Sequence, residues 1–236
     1  MKFKSNRLDD STMRVKPGDR YLNDYTVAEL KDIAGSIEVA VTVPVNVQVE
    51  AEHRVYDLSE MKEILSKAKK VVLQDCGCRT DHGNCDSPLD TCLSINEEAD
   101  EALRGDRYNP REVSLEEALE ALQRSHEAGL VHMAYTLKGK DYPSPICSCC
   151  PCCCHTLGGL VRHGIHAKVL TSRYGAEDDM SLCTGCSVCA DRCSFQAREM
   201  VDGELQYDKS RCFGCGLCVS TCPTSAIRLV ERPGAA

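Results

Sequence analysis

Eighteen cysteines in 236 residues constrain this chain more than any other feature of its sequence. Residues 76–92 hold four of them, residues 147–154 hold six and residues 183–222 hold eight. This density approaches the level at which cysteine chemistry specifies a fold. The thiols are clustered, and the N-terminal MKFKSNRLDD lacks the apolar run of a signal peptide. We therefore expect reduced, metal-binding thiols in a cytoplasmic protein rather than the disulfides of a secreted one.

The eight C-terminal cysteines form an internal repeat. Residues 183–193 and 212–222 each read C-x2-C-x2-C-x3-C. Three thiolates at this short spacing can reach three irons of one iron–sulfur cube, while the fourth lies too far along the chain to close the same cube. Gly185, Gly214 and Gly216 allow the backbone to turn tightly beside the thiolates.

Residues 177–231 resemble the bacterial-type ferredoxin domain with two [4Fe–4S] clusters. The resemblance implies that the fourth cysteine of each half ligates the cluster of the other half. One cluster is then expected on Cys183, Cys186, Cys189 and Cys222, and the second on Cys212, Cys215, Cys218 and Cys193. The family usually has proline after the fourth cysteine. Pro223 fits this pattern, whereas Ser194 departs from it.

The first upstream group predicts another metal site. Cys76-Gly-Cys78-Arg79, together with Cys85 and Cys92, offers four thiols among loop-forming residues. Four thiolates satisfy either a [4Fe–4S] cluster or a tetrahedral zinc ion. We favour a cluster, with zinc and regulatory thiols as the alternatives. Arg79 could offset part of the cluster charge.

The second upstream group is too dense for one cube, because adjacent side chains diverge. We expect ligands at Cys147, Cys149, Cys150, Cys153 and Cys154, and Cys152 has no assigned role. The ten upstream thiols can divide into two sets of four with two left over, or into a set of four and a set of six. One or two additional [4Fe–4S] clusters are therefore predicted, and one could be shared between the two groups.

The wider pattern resembles a set of multi-cluster iron–sulfur proteins of anaerobes. Their C-x-C-R…C…C motif matches residues 76–92, and their C-x-C-C-x-x-C-C motif matches residues 147–154. Between these, a Glu-Ala-Leu helix ends in Ala-Gly-Leu-Val-His, as residues 117–132 do here. The resemblance implies electron transfer in anaerobic metabolism.

The remaining patterns predict an α+β fold. A small α/β N-terminal part precedes a dicluster ferredoxin domain, and in one interpretation this N-terminal part is winged-helix-like. Valines alternate from Val39 to Val49 as in a strand. Helices are predicted near residues 58–69 and after the Ser114–Glu117 capping box. Asp202-Gly203 predicts a hairpin turn between residues 199–201 and 204–207. We predict three regions: an N-terminal α/β segment at 1–75, a cysteine-rich region at 76–172 and the ferredoxin domain at 173–236.

These features favour an electron-transfer protein or subunit over a stand-alone enzyme. A redox enzyme using residues 147–154, through a catalytic cluster or reactive dithiol, and an iron–sulfur sensor are the alternatives. The chain has neither a dinucleotide fingerprint nor a P-loop, so a redox partner or larger oxidoreductase complex is expected. No apolar run predicts a membrane span. The net charge of −8 makes nucleic acid an improbable ligand.

Overall fold

The computed structural model describes residues 53–136, 142–163 and 169–233. The alternating valine run predicted as a strand lies outside these residues. Within them the chain is α+β, with one large sheet, two small sheets and helices on either side of the large one. The winged-helix interpretation stays a prediction.

The described part of the chain contains seven α-helices, two of which begin at a side-chain cap. The seven are α1 Leu58–Ser66, α2 Gly77–His82, α3 Glu97–Gly105, α4 Leu115–Glu127, α5 His155–His163, α6 Val188–Asp191 and α7 Leu217–Ser220. The predicted capping box is present before α4, where Ser114 and Glu117 bond reciprocally. Asp57 and Glu60 form a second box before α1. Both boxes satisfy backbone N–H groups that have no partner inside the helix.

The strands pair mostly in antiparallel fashion. They are β1 His53–Tyr56, β2 Val71–Asp75, β3 Asp90–Ile95, β4 Arg111–Glu112, β5 Val131–Tyr135, β6 Ile146–Cys149, β7 Val169–Leu170, β8 Tyr174–Asp178, β9 Arg198–Val201, β10 Glu204–Tyr207 and β11 Ile227–Glu231. The large sheet has the order β4-β2-β3-β6-β5-β1-β7, in which only β1 and β7 are parallel.

Alternate side chains along these strands face two separate hydrophobic cores. Leu93 and Ile146 belong to the core that α1 and α4 cover. Cys147 and Cys149 pack in the core on the other face, with Met133. Because successive side chains in a strand point to opposite faces, the sequence of β6 directs its cysteines away from the first core.

The C-terminal repeat builds two small antiparallel sheets. In one, β8 pairs with β11; in the other, β9 pairs with β10. The β9–β10 turn is Asp202-Gly203, with φ of 52° and 85°. Positive φ at both central residues suits a tight hairpin, and this dipeptide was predicted to form one.

The repeat packs against the large sheet through a shared seam. Phe195 and Phe213 of the repeat lie in the same core as Leu157 of α5. Ser172 N–H donates to the carbonyl of Phe213 at 2.9 Å, and His126 lies 2.7 Å from the hydroxyl of Ser220. The predicted boundaries at residues 75 and 172 stay predictions. Within the described residues, the helices are too short or too polar to cross a bilayer.

Candidate metal centres

The first recess of the repeat is lined by cysteines from both halves. Three come from the loop before α6 and from α6 itself, and the fourth follows α7: Cys183, Cys186, Cys189 and Cys222. The recess spans about 420 Å³, including the open solvent at its mouth. Cys186 is exposed, so this recess lies near the surface. These are the four residues expected to share one cluster.

The second recess has the reciprocal composition. Its four cysteines are Cys193, Cys212, Cys215 and Cys218, and its volume is about 360 Å³. Phe195 and Phe213 line it on the side of the large sheet. Four thiols around a recess of this kind fit the donor set of a [4Fe–4S] cluster, so the residues present suit the predicted cofactors in both halves.

In each half of the repeat, a backbone N–H group donates to the sulfur of the fourth cysteine. Ala197 N–H donates to Cys193 Sγ at 3.3 Å, and Ala226 N–H donates to Cys222 Sγ at 3.2 Å. Although burial opposes the effect, hydrogen bonds from Thr224 and Ala226 lower the pKa of Cys222. Such donors stabilise the thiolate that metal binding requires.

Arg198 is a buried cation between the two recesses that sequence reasoning missed. It forms a two-point ion pair with Asp178, at 2.6 and 2.9 Å. Its charge lies near Cys189 of the first recess and Cys218 of the second. Burial alone would lower the pKa of Arg198, but Asp178 and these thiols raise it. A permanent positive charge here favours anionic thiolates in both sites.

Six upstream thiols form a closed ring, which we call the six-thiol ring. Around it, each thiol is hydrogen-bonded to the next, in the order Cys76, Cys78, Cys154, Cys149, Cys147, Cys92 and back to Cys76. Hydrogen bonds from both neighbours lower the pKa of Cys76 to about 2 and that of Cys147 to about 5. Hydrogen bonds from Cys149 and Cys78 also lower the pKa of Cys154. The pKa values of Cys78, Cys149 and Cys92 are raised, so acceptors and donors alternate around the ring.

Four separate elements supply this ring. Cys76 and Cys78 come from the start of α2, and Cys92 comes from β3. Cys147 and Cys149 lie two residues apart on β6, so both point to the same face. Cys154 precedes α5, whose Leu157 N–H donates to its sulfur at 3.5 Å. The ring therefore forms only when the sheet assembles.

The other four upstream thiols form a second group, which we call the four-thiol group. Their sulfur atoms all lie within 4.8 Å of one another: Cys85, Cys150, Cys152 and Cys153. Within the group, Cys85 lies 3.7 Å from Cys150 and 4.0 Å from Cys153. The ten upstream thiols thus divide into a set of six and a set of four.

Arg79 lies between the ring and the four-thiol group. It is only 1% exposed, and its Nη1 atom lies 3.7 Å from the sulfur of Cys150. It also donates to the carbonyls of Pro88 and Ser148 at 3.0 and 3.1 Å. Burial alone would lower the pKa of Arg79, but Cys76 and Cys150 raise it. The sequence proposal that Arg79 offsets thiolate charge suits this position.

Histidine contributes beside the ring at a position that the sequence did not indicate. His155 Nδ1 lies 4.0 Å from Cys78 Sγ, and its Nε2 lies 3.2 Å from His82 Nε2. His126 and His132 are buried and stacked with ring centroids 5.7 Å apart. His155 therefore lies beside the six-thiol ring, whereas His126 and His132 pack inside the fold.

The structure regroups the upstream cysteines relative to the sequence prediction. Cys85 is separated from the other three members of its expected set and joins Cys152, which had no assigned role. In the adjacent pairs Cys149–Cys150 and Cys153–Cys154, the two side chains point to different sites, as expected. Cys149 contributes to the ring and Cys150 to the four-thiol group, and Cys154 and Cys153 divide in the same way. Side chains some 55 to 76 residues apart decide this division, and local spacing carries no signal for it.

The ring and the second recess share one apolar core. Cys149 and Cys154 pack in it with Phe195 and Phe213, and Cys193 lies at its edge. The two phenylalanine rings are stacked with centroids 4.4 Å apart. The thiol sites thus follow one another through the molecule, from the first recess to the second and then to the ring.

Comparison with known families identifies the C-terminal sites. The family model of the 4Fe-4S dicluster domain matches residues 180–227. This match covers the two recesses and supports a ferredoxin-like C-terminal domain that binds [4Fe–4S] clusters. No curated protein matches the chain. The C-terminal part of this protein is therefore similar to a 4Fe-4S dicluster domain, and it follows a cysteine-rich part built of helices and a mostly antiparallel sheet.

Proposed function

We propose that this chain is an electron-transfer protein, or the electron-transfer subunit of a redox complex, whose C-terminal cysteines and six-thiol ring hold three iron–sulfur clusters in series. When bound, such clusters accept and release single electrons. The carrying observation is the common core in which Cys149 and Cys154 of the ring pack with Phe195 and Phe213 beside the second recess. The resemblance further favours the cytoplasm of an anaerobe as its setting.

The surface around the first recess supports a redox partner at that end. Among the described residues, Met180, Leu182 and Val188 are three of the few large apolar side chains that are exposed, and all lie within three residues of its cysteines in sequence. Apolar side chains around an exposed thiol site suit transient docking of another protein. The ring lies at the opposite end of the series and is mostly buried.

Iron analysis of the anaerobically purified chain tests the proposal. Three four-iron clusters predict about twelve irons per chain, with about eight in the C-terminal domain. The triple variant C147S/C149S/C154S leaves three ring thiols and should retain about eight. The matched variant C193S should instead lose iron from the second recess. A wild-type content of about eight irons would refute the upstream cluster even if the triple variant failed to fold.

A redox enzyme is a second candidate because the ring offers six thiols where a four-iron cube needs four. The two thiols that the cube does not need can form a disulfide by giving two electrons and two protons to a substrate. Electron paramagnetic resonance would separate the two functions. A small thiol or disulfide that alters the signal of ring-bound iron supports the enzyme, and an unchanged signal supports the electron carrier.

A further inference from the structure

The four-thiol group has the dimensions of a site for one ion. Cys85 Sγ lies 3.7 Å from Cys150 Sγ and 4.0 Å from Cys153 Sγ, and Cys152 and Cys153 are 3.9 Å apart. A tetrahedral ion bonded to four sulfurs at about 2.3 Å holds neighbouring sulfurs about 3.8 Å apart. An iron–sulfur core would separate its thiolates by the width of four irons and their sulfides, so these thiols lie too close together to surround a cube.

The backbone around the group is arranged as in thiolate metal sites. Cys150 and Cys153 have the C-x2-C spacing that structural zinc sites commonly use. Backbone N–H groups of Cys153 and Asn84 donate to the sulfurs of Cys150 and Cys153, respectively. The side-chain amide of Asn84 also donates to the carbonyl of Cys152 at 3.2 Å. These bonds fix the orientation of the sulfurs from outside the donor set.

The charges are compatible with one divalent ion. Binding by four thiols releases four protons and leaves four thiolates around the ion, with a net charge of two negative units. Arg79 lies 3.7 Å from Cys150 and is almost fully buried, so it compensates part of this charge. The site therefore has donors, geometry and a counter-charge.

We infer that Cys85, Cys150, Cys152 and Cys153 bind a single tetrahedral metal ion, separate from every iron–sulfur cluster of the chain. The ion joins the loop after α2 to the segment between β6 and α5. Because Cys149 and Cys154 flank that segment, the ion also fixes two members of the six-thiol ring. Zinc and iron both suit four thiolates, and the ligand geometry is common to them.

X-ray absorption of the full chain, purified anaerobically from medium containing both metals, tests this inference. We expect one non-cluster ion per chain with four sulfur neighbours at about 2.3 Å and no nearby metal. Signal at the zinc edge identifies zinc. A Mössbauer signal of one isolated ferrous ion identifies iron. Either result supports the site.

Variants locate the ion. Cys85→Ser and Cys152→Ser should each abolish the isolated-ion signal, whereas Asp86→Asn, an exposed neighbour in the same loop, should retain it. Absence of any non-cluster ion in the wild-type chain would overturn the inference. Loss of about four irons in Cys85→Ser while the signal of the ring cluster is retained would also overturn it, because it would show a cube at these thiols. The wild-type spectrum decides the question if both serine variants fail to fold.

Discussion

The C-terminal repeat and the upstream region both bring cysteines together at candidate metal sites, but the chain supplies those cysteines differently in the two regions. In the repeat, each recess takes three cysteines from one local loop and one from the other half. Upstream, both sites combine cysteines that lie some 55 to 76 residues apart in sequence. The repeat can therefore be recognised from spacing alone, whereas the upstream sites exist only in the folded sheet. Local motifs reveal a metal site only when the site itself is local.

Burial separates the two regions as well. Most upstream thiols are buried, and a buried arginine lies between their two sites. The repeat places its thiols nearer the surface, with Cys186 exposed. We expect upstream substitutions to affect stability and metal binding together, and substitutions around the first recess to affect mainly the local site.

Replacing Arg79 should have the largest effect on the upstream region. Arg79→Leu removes a buried cation that serves thiols of both upstream sites and leaves the carbonyls of Pro88 and Ser148 without their donor. Breaking a buried charge interaction in this way costs about 3–5 kcal/mol. Urea unfolding should show this loss, and metal analysis should show depletion upstream.

Arg79→Lys is the control for charge, since it retains the cation but not the planar fork. It should keep more upstream metal than Arg79→Leu. Equal stability and metal content in wild type and Arg79→Leu would contradict the role of Arg79 as a shared counter-charge.

Two glycines test whether the halves of the repeat are equally constrained. Gly214 and Gly185 have φ of 74° and 67°, so alanine is strained at both positions by about 1–2 kcal/mol. A Cβ at Gly214 would also overlap the backbone carbonyl of Tyr174, whereas the nearest atom at Gly185 is 3.9 Å away. We expect Gly214→Ala to lose iron from the second recess and Gly185→Ala to keep its iron. Equal iron loss in both variants would contradict this asymmetry.

The sequence predicted the fold and the two regions unequally. The Ser114–Glu117 capping box and the Asp202-Gly203 hairpin were predicted correctly because each depends on neighbouring residues. The pairing of Cys85 with Cys150 was not predicted, because it depends on how β6 lies beside β3 in the sheet. Arg198 was missed for the same reason: its partner Asp178 is 20 residues away on another strand.

The phenylalanine pair at the seam should contribute a smaller effect. Phe195→Leu removes the stacked contact with Phe213 while keeping an apolar side chain. Loss of an aromatic pair costs about 0.5–1.5 kcal/mol beyond lost apolar area. Unfolding experiments should show a decrease of this order, with Val188→Ala, at an exposed position, as a control near zero. An equal change in both variants would argue against a packed seam.

The smallest expected effect concerns the pH dependence of the same seam. Glu60 of α1 accepts a hydrogen bond from the hydroxyl of Ser172 at 2.6 Å, and Ser172 in turn bonds to the carbonyl of Phe213. Burial, reinforced by Asp57, raises the pKa of Glu60 from 4.5 to about 7. The folded chain therefore binds this proton more tightly than the unfolded chain between these values. Stability from this group is complete below about pH 4.5 and declines as pH rises through 7.

Glu60→Gln keeps an oxygen that can accept hydrogen bonds from the Ser172 hydroxyl and from the backbone N–H of Asp57, and it cannot ionise. The variant should therefore lack the decline in stability with rising pH. Relative to wild type, the variant should be nearly equal in stability at pH 4.5 and more stable at pH 8, and the difference should develop between pH 4.5 and 7. Glu63→Gln, on the exposed face of the same helix, should show no comparable pH dependence. Urea unfolding at the two pH values measures the difference. Parallel curves for wild type and Glu60→Gln would mean that Glu60 is already solvated, and that the seam between the repeat and the sheet is looser than its hydrogen bonds indicate.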